Sequence, residues 1–291
     1  MTQRVAIIGD IGAHLLMFQE QLIVLGVDLD ASSIPDDLVI CQVGDLIHKG
    51  HDSAAVVEMV DRLIKHNPGQ WVQLLGNHES QYLDGGTQFW TPSLDSETEQ
   101  TLRRWWDNGD MKIAANFWLA DQDSESDAID ASPGGELLVT HAGLTAGAWQ
   151  LLGSTHTVSE IVDALNRAQA AVIWREGAII TGTEDQSAGP LWAVATSEVY
   201  QSWSLLEDRT PSLPVPVMTQ AHGHTSAMSW RRDRWREPME QLITKRSVTA
   251  IADPKRKITR VEIGARTFFG TDPESGRAPQ TVSIPLVLPI T

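Results

Sequence analysis

The chain has 291 residues, 42% of them hydrophobic, with a formal net charge of −16 and one cysteine, Cys41. Such a charge repels nucleic-acid backbones and argues against nonspecific DNA or RNA binding. A lone cysteine rules out an intrachain disulfide and a thiolate zinc cluster, and no apolar run nears the roughly 20 residues that span a bilayer. A metal site must therefore draw on His, Asp, Glu or Asn. Dications bound there would reverse the local sign, so the net charge does not exclude an anionic substrate.

Residues 5–10 read as a buried strand that turns at Gly9-Asp10. Helical spacing over 14–26 ends on Gly26, a common residue just past a helix. A second buried strand covers 39–45. An amphipathic helix follows over 53–66, capped by Asp52 or Ser53 and stopped by Asn67-Pro68-Gly69. A third strand covers 71–76. This β-α-β-α-β order predicts parallel strands with right-handed crossovers. Helices are expected over 97–108 and 158–171, and a strand over 137–140. The acidic stretch 121–136 and the irregular stretch 177–190 read as loops, and 207–216 as a linker into a strand over 217–220. Short β segments over 247–252, 258–263 and 267–270 are joined by turn residues. The change from βαβ units to hairpins reads as two sheets packed in one domain over 1–291, with surface loops inserted near 85–95, 121–136 and 177–190. The eleven Trp against two Tyr read as core and loop anchors. The first residues show no signal-peptide pattern, so the expected location is the cytoplasm, with no membrane partner.

Five segments share one design, an apolar strand followed by glycine or by His, Asp or Asn with small neighbours. They are Gly9-Asp10, Gly44-Asp45, Gly76-Asn77-His78-Glu79, Thr140-His141-Ala142-Gly143 and His222-Gly223-His224-Thr225. Sites form at strand ends in open α/β sheets, and glycine lets the backbone turn sharply there. Singly, an Asp after a strand is more often a helix cap, a His more often a structural residue, and Gly-Asn a turn. Five in this order are poorly explained that way. Asp, Asn and His together suit a dication such as Mn²⁺, Fe²⁺ or Zn²⁺.

The ordered set Gly-Asp, Gly-Asp-x-x-x-x-Gly, Gly-Asn-His-Glu, His-Ala-Gly and Gly-His-Thr resembles the calcineurin-like metallophosphoesterase superfamily. It is nearest the branch of Ser/Thr phosphoprotein phosphatases and diadenosine-tetraphosphate hydrolases. The resemblance implies an α/β fold, a four-layer α/β/β/α sandwich with two mixed sheets. It implies two divalent metal ions, with manganese the first choice and iron or zinc as alternatives. Asp10 would bind the first ion and Asp45 would bridge both. Asn77, His141 and His224 would bind the second, and His78 would be the general acid. The nucleophile would be a water or hydroxide between the ions. The implied reaction is phosphate-ester hydrolysis on a phosphorylated small molecule or phosphoprotein. A nucleotide or dinucleotide polyphosphate hydrolase is the alternative, and a non-catalytic phospholigand-binding member is the rival from another class. No oligomeric state is implied.

His224 is preferred over His222 as ligand because a glycine directly precedes it. Lys49, where the family has Arg, either contacts substrate phosphate or is a solvated lysine. Arg175 is a second candidate phosphate contact, with a structural salt bridge as its other reading. Two positions depart from the pattern. Gly12 stands where the first metal's His is expected, which makes His14 a candidate replacement ligand, or else simply the start of a helix. His48 stands where an Asp orients the catalytic His, and it carries no permanent negative charge.

Overall fold

Alternating apolar strands and amphipathic helices set the N-terminal half. In the computed structural model these are β1 (Gln3–Ile8), α1 (Leu15–Val24), β2 (Leu38–Gln42), α2 (Ser53–His66) and β3 (Trp71–Leu74). Residues 3–121, 129–131, 134–167, 171–209, 216–245, 248–274 and 283–291 are described. Helix α2 buries Val56, Val57, Met59, Val60 and Leu63, the spacing of one helical face. Next come α3 (Asn77–Ser80), α4 (Ser96–Asn108), β4 (Met111–Lys112), β5 (Ala114–Leu119) and β6 (Gly135–Thr140). Helix α4 opens on Asp95, whose side chain accepts from the Thr98 N–H at 2.8 Å, and closes on left-handed Gly109.

Helices α5 (Ala146–Leu151), α6 (Val158–Asn166) and α7 (Ala178–Thr181) lead to a π-helical turn, Ala195–Tyr200, that runs into α8 (Gln201–Arg209). The chain then forms β7 (Thr219–His222), β8 (Met228–Ser229), β9 (Arg234–Trp235), α9 (Glu237–Lys245), β10 (Val248–Asp253), β11 (Ile258–Ile263), β12 (Arg266–Gly270) and β13 (Leu286–Ile290). No helix among the described residues is long and apolar enough to cross a membrane.

The fold is mixed α/β, as the sequence implies. Among the described residues, eleven strands form one sheet in the order β10-β11-β12-β7-β6-β5-β13-β1-β2-β3-β4, and β8 and β9 pair separately. Its two wings are parallel near the site: β1, β2, β3 and β4 on one side, β6, β7 and β12 on the other. A single antiparallel pair, Ile290–Leu119, joins the wings through β13 and β5. The two expected sheets are thus continuous in hydrogen bonding.

The wings meet at their ends. The Thr271 carbonyl, just after β12, lies 2.0 Å from where a Cβ on Gly9 would sit, just after β1. Those strands are five places apart, which in a flat sheet would separate them by roughly 24 Å. The sheet therefore curls and brings the two sets of strand ends together. Val5, Ile7, Cys41 and Leu74 from one wing share an apolar cluster with Leu137, Val139, Ala221 and Phe269 from the other. Alternate residues Ala6, Ile8, Ile40 and Leu138 belong to the cluster that holds the buried residues of α1, α2 and α6.

Several sequence expectations shift. The helix expected over 158–171 ends at Asn166, and the strand expected over 217–220 is Thr219–His222. The stretch 177–190 includes the turn α7. Within 121–136, residues 122–128 and 132–133 lie outside the described residues, as do 210–215 of the expected linker, whose first part instead completes α8. Strands β5 and β13, which join the wings, carry no signal that the sequence reading used. Asn116 and Pro289 interrupt their apolar character, and proline supplies no ladder N–H.

Gly9→Ala should lower stability by about 1–3 kcal/mol, because its methyl would strike the Thr271 carbonyl. Urea unfolding measures this. An unchanged midpoint and slope would mean that the wings do not close at Gly9.

Candidate active site

Each of the five motif segments lies at the C-terminal end of its strand, and the curled sheet gathers them. Two backbone devices set the loops. Gly44 adopts φ 103°, and a Cβ there would lie 2.3 Å from the Gly76 nitrogen, so the loops after β2 and β3 touch along their backbones. The buried Glu79 carboxylate then accepts N–H groups from Asp45 and Leu46 at 2.8 Å, Gly76 at 3.1 Å and Ile47 at 3.3 Å. Burial, with the Asp45 charge beside it, pushes Glu79 up to about 8. The four N–H donors oppose that shift by stabilising its charged form.

Asp10 and Asp45 are each only 1% exposed. Asp10 Oδ1 accepts the His224 backbone N–H at 2.8 Å, which bridges the wings. Asp45, at φ 56°, accepts the His78 backbone N–H at 3.2 Å through Oδ1. The Lys49 ammonium donates to Asp45 Oδ2 at 3.0 Å and to Asp10 Oδ2 at 3.3 Å. Burial alone would raise Asp45, but His78, once protonated, and the Lys49 ammonium outweigh it and hold the carboxyl well below its usual range. Burial raises Asp10, with Lys49 acting against it. Asp272, just beyond β12, is pushed up to about 7 by burial and the nearby Asp10.

The candidate metal ligands Asn77, His141 and His224 come together at these strand ends. His141 Nδ1–H donates to the Val43 carbonyl at 2.9 Å, which turns Nε2 toward the Asn77 side chain. That Nε2 stands 2.9 Å from Asn77 Oδ1 and 3.4 Å from Asp45 Oδ1. His224 Nδ1 lies 3.1 Å from the same Asn77 oxygen, and its buried Nε2 has no hydrogen-bond partner. Nitrogen and oxygen atoms that converge this closely can share a proton in one tautomer or, with their lone pairs turned inward, hold a cation. One donor atom each from Asp45, His141 and His224 lies within 4.8 Å of the others, and the set suits a divalent ion.

His78 sits beside this cluster, with Nε2 3.7 Å from Asp45 Oδ2. Its Nδ1 meets His48 Nδ1 at 2.7 Å, and His48 Nε2 meets the Tyr82 hydroxyl at 2.8 Å. Burial pushes both histidines down to about 4, so two neutral rings share one proton across the Nδ1 contact. His48 thus contacts the ring that the family's Asp would orient, and Tyr82 extends the chain. An aromatic wall closes this side. Trp90 stacks on His48 at a 5.7 Å centroid distance, and Phe89 meets the His78 ring edge-on at 4.9 Å. Phe89 also meets Trp192, which lies 6.5 Å from His224.

The other candidates fall elsewhere. His222 is buried against the Tyr200 hydroxyl at 3.0 Å and is not in the possible metal-binding group found among the described residues. Arg175 donates to Asp185 at 2.6 Å, the salt-bridge reading. His14 precedes α1 as its N-cap residue and is not in the possible metal-binding group found among the described residues. The segment before it is bonded to the loop after β2. Ile11 and Gly12 N–H donate to the Asp45 carbonyl, and Ala13 N–H to that of Leu46. Sequence reasoning passed over Tyr82, the scaffold role of Glu79 and the Phe89–Trp90–Trp192 wall. Only Glu79 had a local signal, its place in Gly-Asn-His-Glu.

The family model for calcineurin-like phosphoesterases matches residues 3–202. No curated protein matches. Among solved structures, a cold-active protein tyrosine phosphatase has a TM-score of 0.53 at 16% identity, covering 97% of this chain and 72% of that one. A protein serine/threonine phosphatase from Saccharomyces cerevisiae has a TM-score of 0.49 at 12% identity, covering 100% and 81%. A protein described as a putative diadenosine tetraphosphatase has a TM-score of 0.37 at 18% identity, covering 92% and 93%. With the family model matching most of its length, this chain belongs to the calcineurin-like phosphoesterase family.

Proposed function

We propose that the protein is a metal-dependent phosphomonoesterase of the phosphoprotein-phosphatase type, with manganese the first metal to test. The observation that carries this is the convergence of the Asn77 oxygen and the His141 and His224 nitrogens beside His78, at 2.9 and 3.1 Å around Asn77 Oδ1. In this reading Asn77, His141, His224 and Asp45 hold a divalent ion, which when bound supplies positive charge to phosphoryl oxygens and to water. Water adds to phosphorus, the bond from phosphorus to the ester oxygen breaks, and inorganic phosphate and an alcohol leave. His78 gives its proton to the departing ester oxygen. Its ring is neutral near pH 7 in the free site, and a phosphate dianion beside it favours the charged, acidic form. His48 and Tyr82 hold the ring in place from behind.

Two features support a compact phosphomonoester over a dinucleoside polyphosphate. The net charge is −16, and both candidate phosphate-gripping cations are already paired, Lys49 with Asp10 and Asp45 and Arg175 with Asp185. The aromatic wall suits an aryl ester. One neighbour in fold is described as a protein tyrosine phosphatase, which makes a phosphotyrosine peptide a natural macromolecular substrate to test.

His78→Ala should lower turnover on the order of a hundredfold to ten-thousandfold while metal content stays at the wild-type value. The loss should be larger for alkyl phosphates than for nitrophenyl phosphate. A loss uniform across leaving groups, or a fall in bound metal, would remove His78 as the acid. Asp45→Asn should abolish activity and reduce bound metal, measured by elemental analysis of the purified variant. Full metal retention would show that the Asp45 charge is not needed to hold the ion. In competition at equal concentration, phosphomonoesters should be hydrolysed faster than a dinucleoside tetraphosphate. The reverse order would reassign the substrate class.

A further inference from the structure

We propose that the Lys49 ammonium stands where the family's first metal ion would stand, so that this protein carries one exchangeable divalent ion and one built-in cation. The inference rests on the metal-dependent reading above.

The residues at the first position do not fit a metal ion. Its expected ligands are Asp10 and Asp45, and Lys49 bridges them at 3.3 and 3.0 Å. The second Asp10 oxygen is engaged by the His224 N–H at 2.8 Å. Among the described residues no imidazole joins Asp10 and Asp45 in a possible metal-binding group. Gly12 holds its place in the motif and His14 leads into α1. A divalent ion held by two carboxylates that already share an ammonium would have to displace that ammonium.

The backbone builds Lys49 into this position. His48 and Lys49 have φ of 65° and 62°, a conformation that side-chain-bearing residues adopt at a cost unless their surroundings impose it. Those surroundings are present. Gly50 N–H donates to the Gly12 carbonyl at 2.8 Å, and a Cβ on Gly50 would lie 2.5 Å from the Ala13 oxygen. The loop after β2 is therefore clamped to the segment after β1, with Lys49 at the clamp. Its side chain is 16% exposed, against 0% and 1% for its two partners.

The exchange is chemically coherent. A lysine ammonium is a compact point charge with three N–H donors. Two of them neutralise Asp10 and Asp45. One positive charge replaces two, so the site loses attraction for a hydroxide there. The other ion and the protein's own groups must then carry more of the activation of water.

The test counts metal rather than activity. Chelator-stripped wild-type protein is dialysed against increasing Mn²⁺ and bound manganese is measured per chain, alongside Lys49→Met and Lys49→Arg. The expected result is one ion for wild type and for Lys49→Arg, and a second, weaker ion for Lys49→Met, whose freed carboxylates need a counter-charge. Two ions of similar affinity on wild type, or one ion on all three proteins, would overturn the proposal. No ion on wild type would overturn it together with the metal-dependent reading. Should Lys49→Met fail to fold, amine acylation of wild type decides. Lys49 should stay protected with and without Mn²⁺, and a Lys49 that becomes reactive on metal saturation would overturn the proposal.

Discussion

Four backbone N–H groups from the loops after β2 and β3 converge on the buried Glu79 carboxylate. Most of the site depends on this convergence. It fixes Asp45 in a left-handed conformation at φ 56°, aims its carboxylate at Lys49 and His78, and leaves the Asp45 carbonyl free to receive the Ile11 and Gly12 N–H groups. Three strand ends are thereby tied through one side chain. An unpartnered carboxyl at this depth would be costly. Held by four donors, it works as scaffold.

The same logic of matched charge governs the chemistry. Asp10, Asp45 and Asp272 are buried close together, and burial with mutual repulsion raises Asp10 and Asp272. Positive charge has to be supplied locally. Lys49 supplies part of it, and in the proposed reading a divalent ion held near Asn77, His141 and His224 supplies the rest. His78 stands at the border between this polar cluster and the Phe89–Trp90–Trp192 wall. The ring is therefore poised between an anionic neighbour that favours its charged form and an apolar one that opposes it.

Much of this was legible in the sequence because strand-end motifs are local. Gly44-Asp45 and Gly76-Asn77-His78-Glu79 announce both a sharp turn and a candidate ligand within a few residues, and the preference for His224 over His222 rests on one glycine. Contacts between distant segments carried no such mark. Tyr82 reaches His48 across 34 residues, and Trp192 joins Phe89 from another part of the chain. The pairing of Lys49 with Asp10 spans 39 residues, so composition left it open between phosphate contact and solvated surface. His14 has the right chemistry at a plausible spacing, yet it lies outside the possible metal-binding group found among the described residues. In the same way β5 and β13, the hinge that lets the wings face each other, are defined by pairing and not by pattern.

The central claim is that the curled sheet assembles a cation site at Asn77, His141 and His224. Anomalous diffraction from crystals soaked in Mn²⁺ tests it most directly. The account predicts a manganese peak within coordination distance of Asn77 Oδ1, His141 Nε2 and a His224 ring nitrogen. Density for manganese elsewhere on the chain, with none at these three residues, would contradict it.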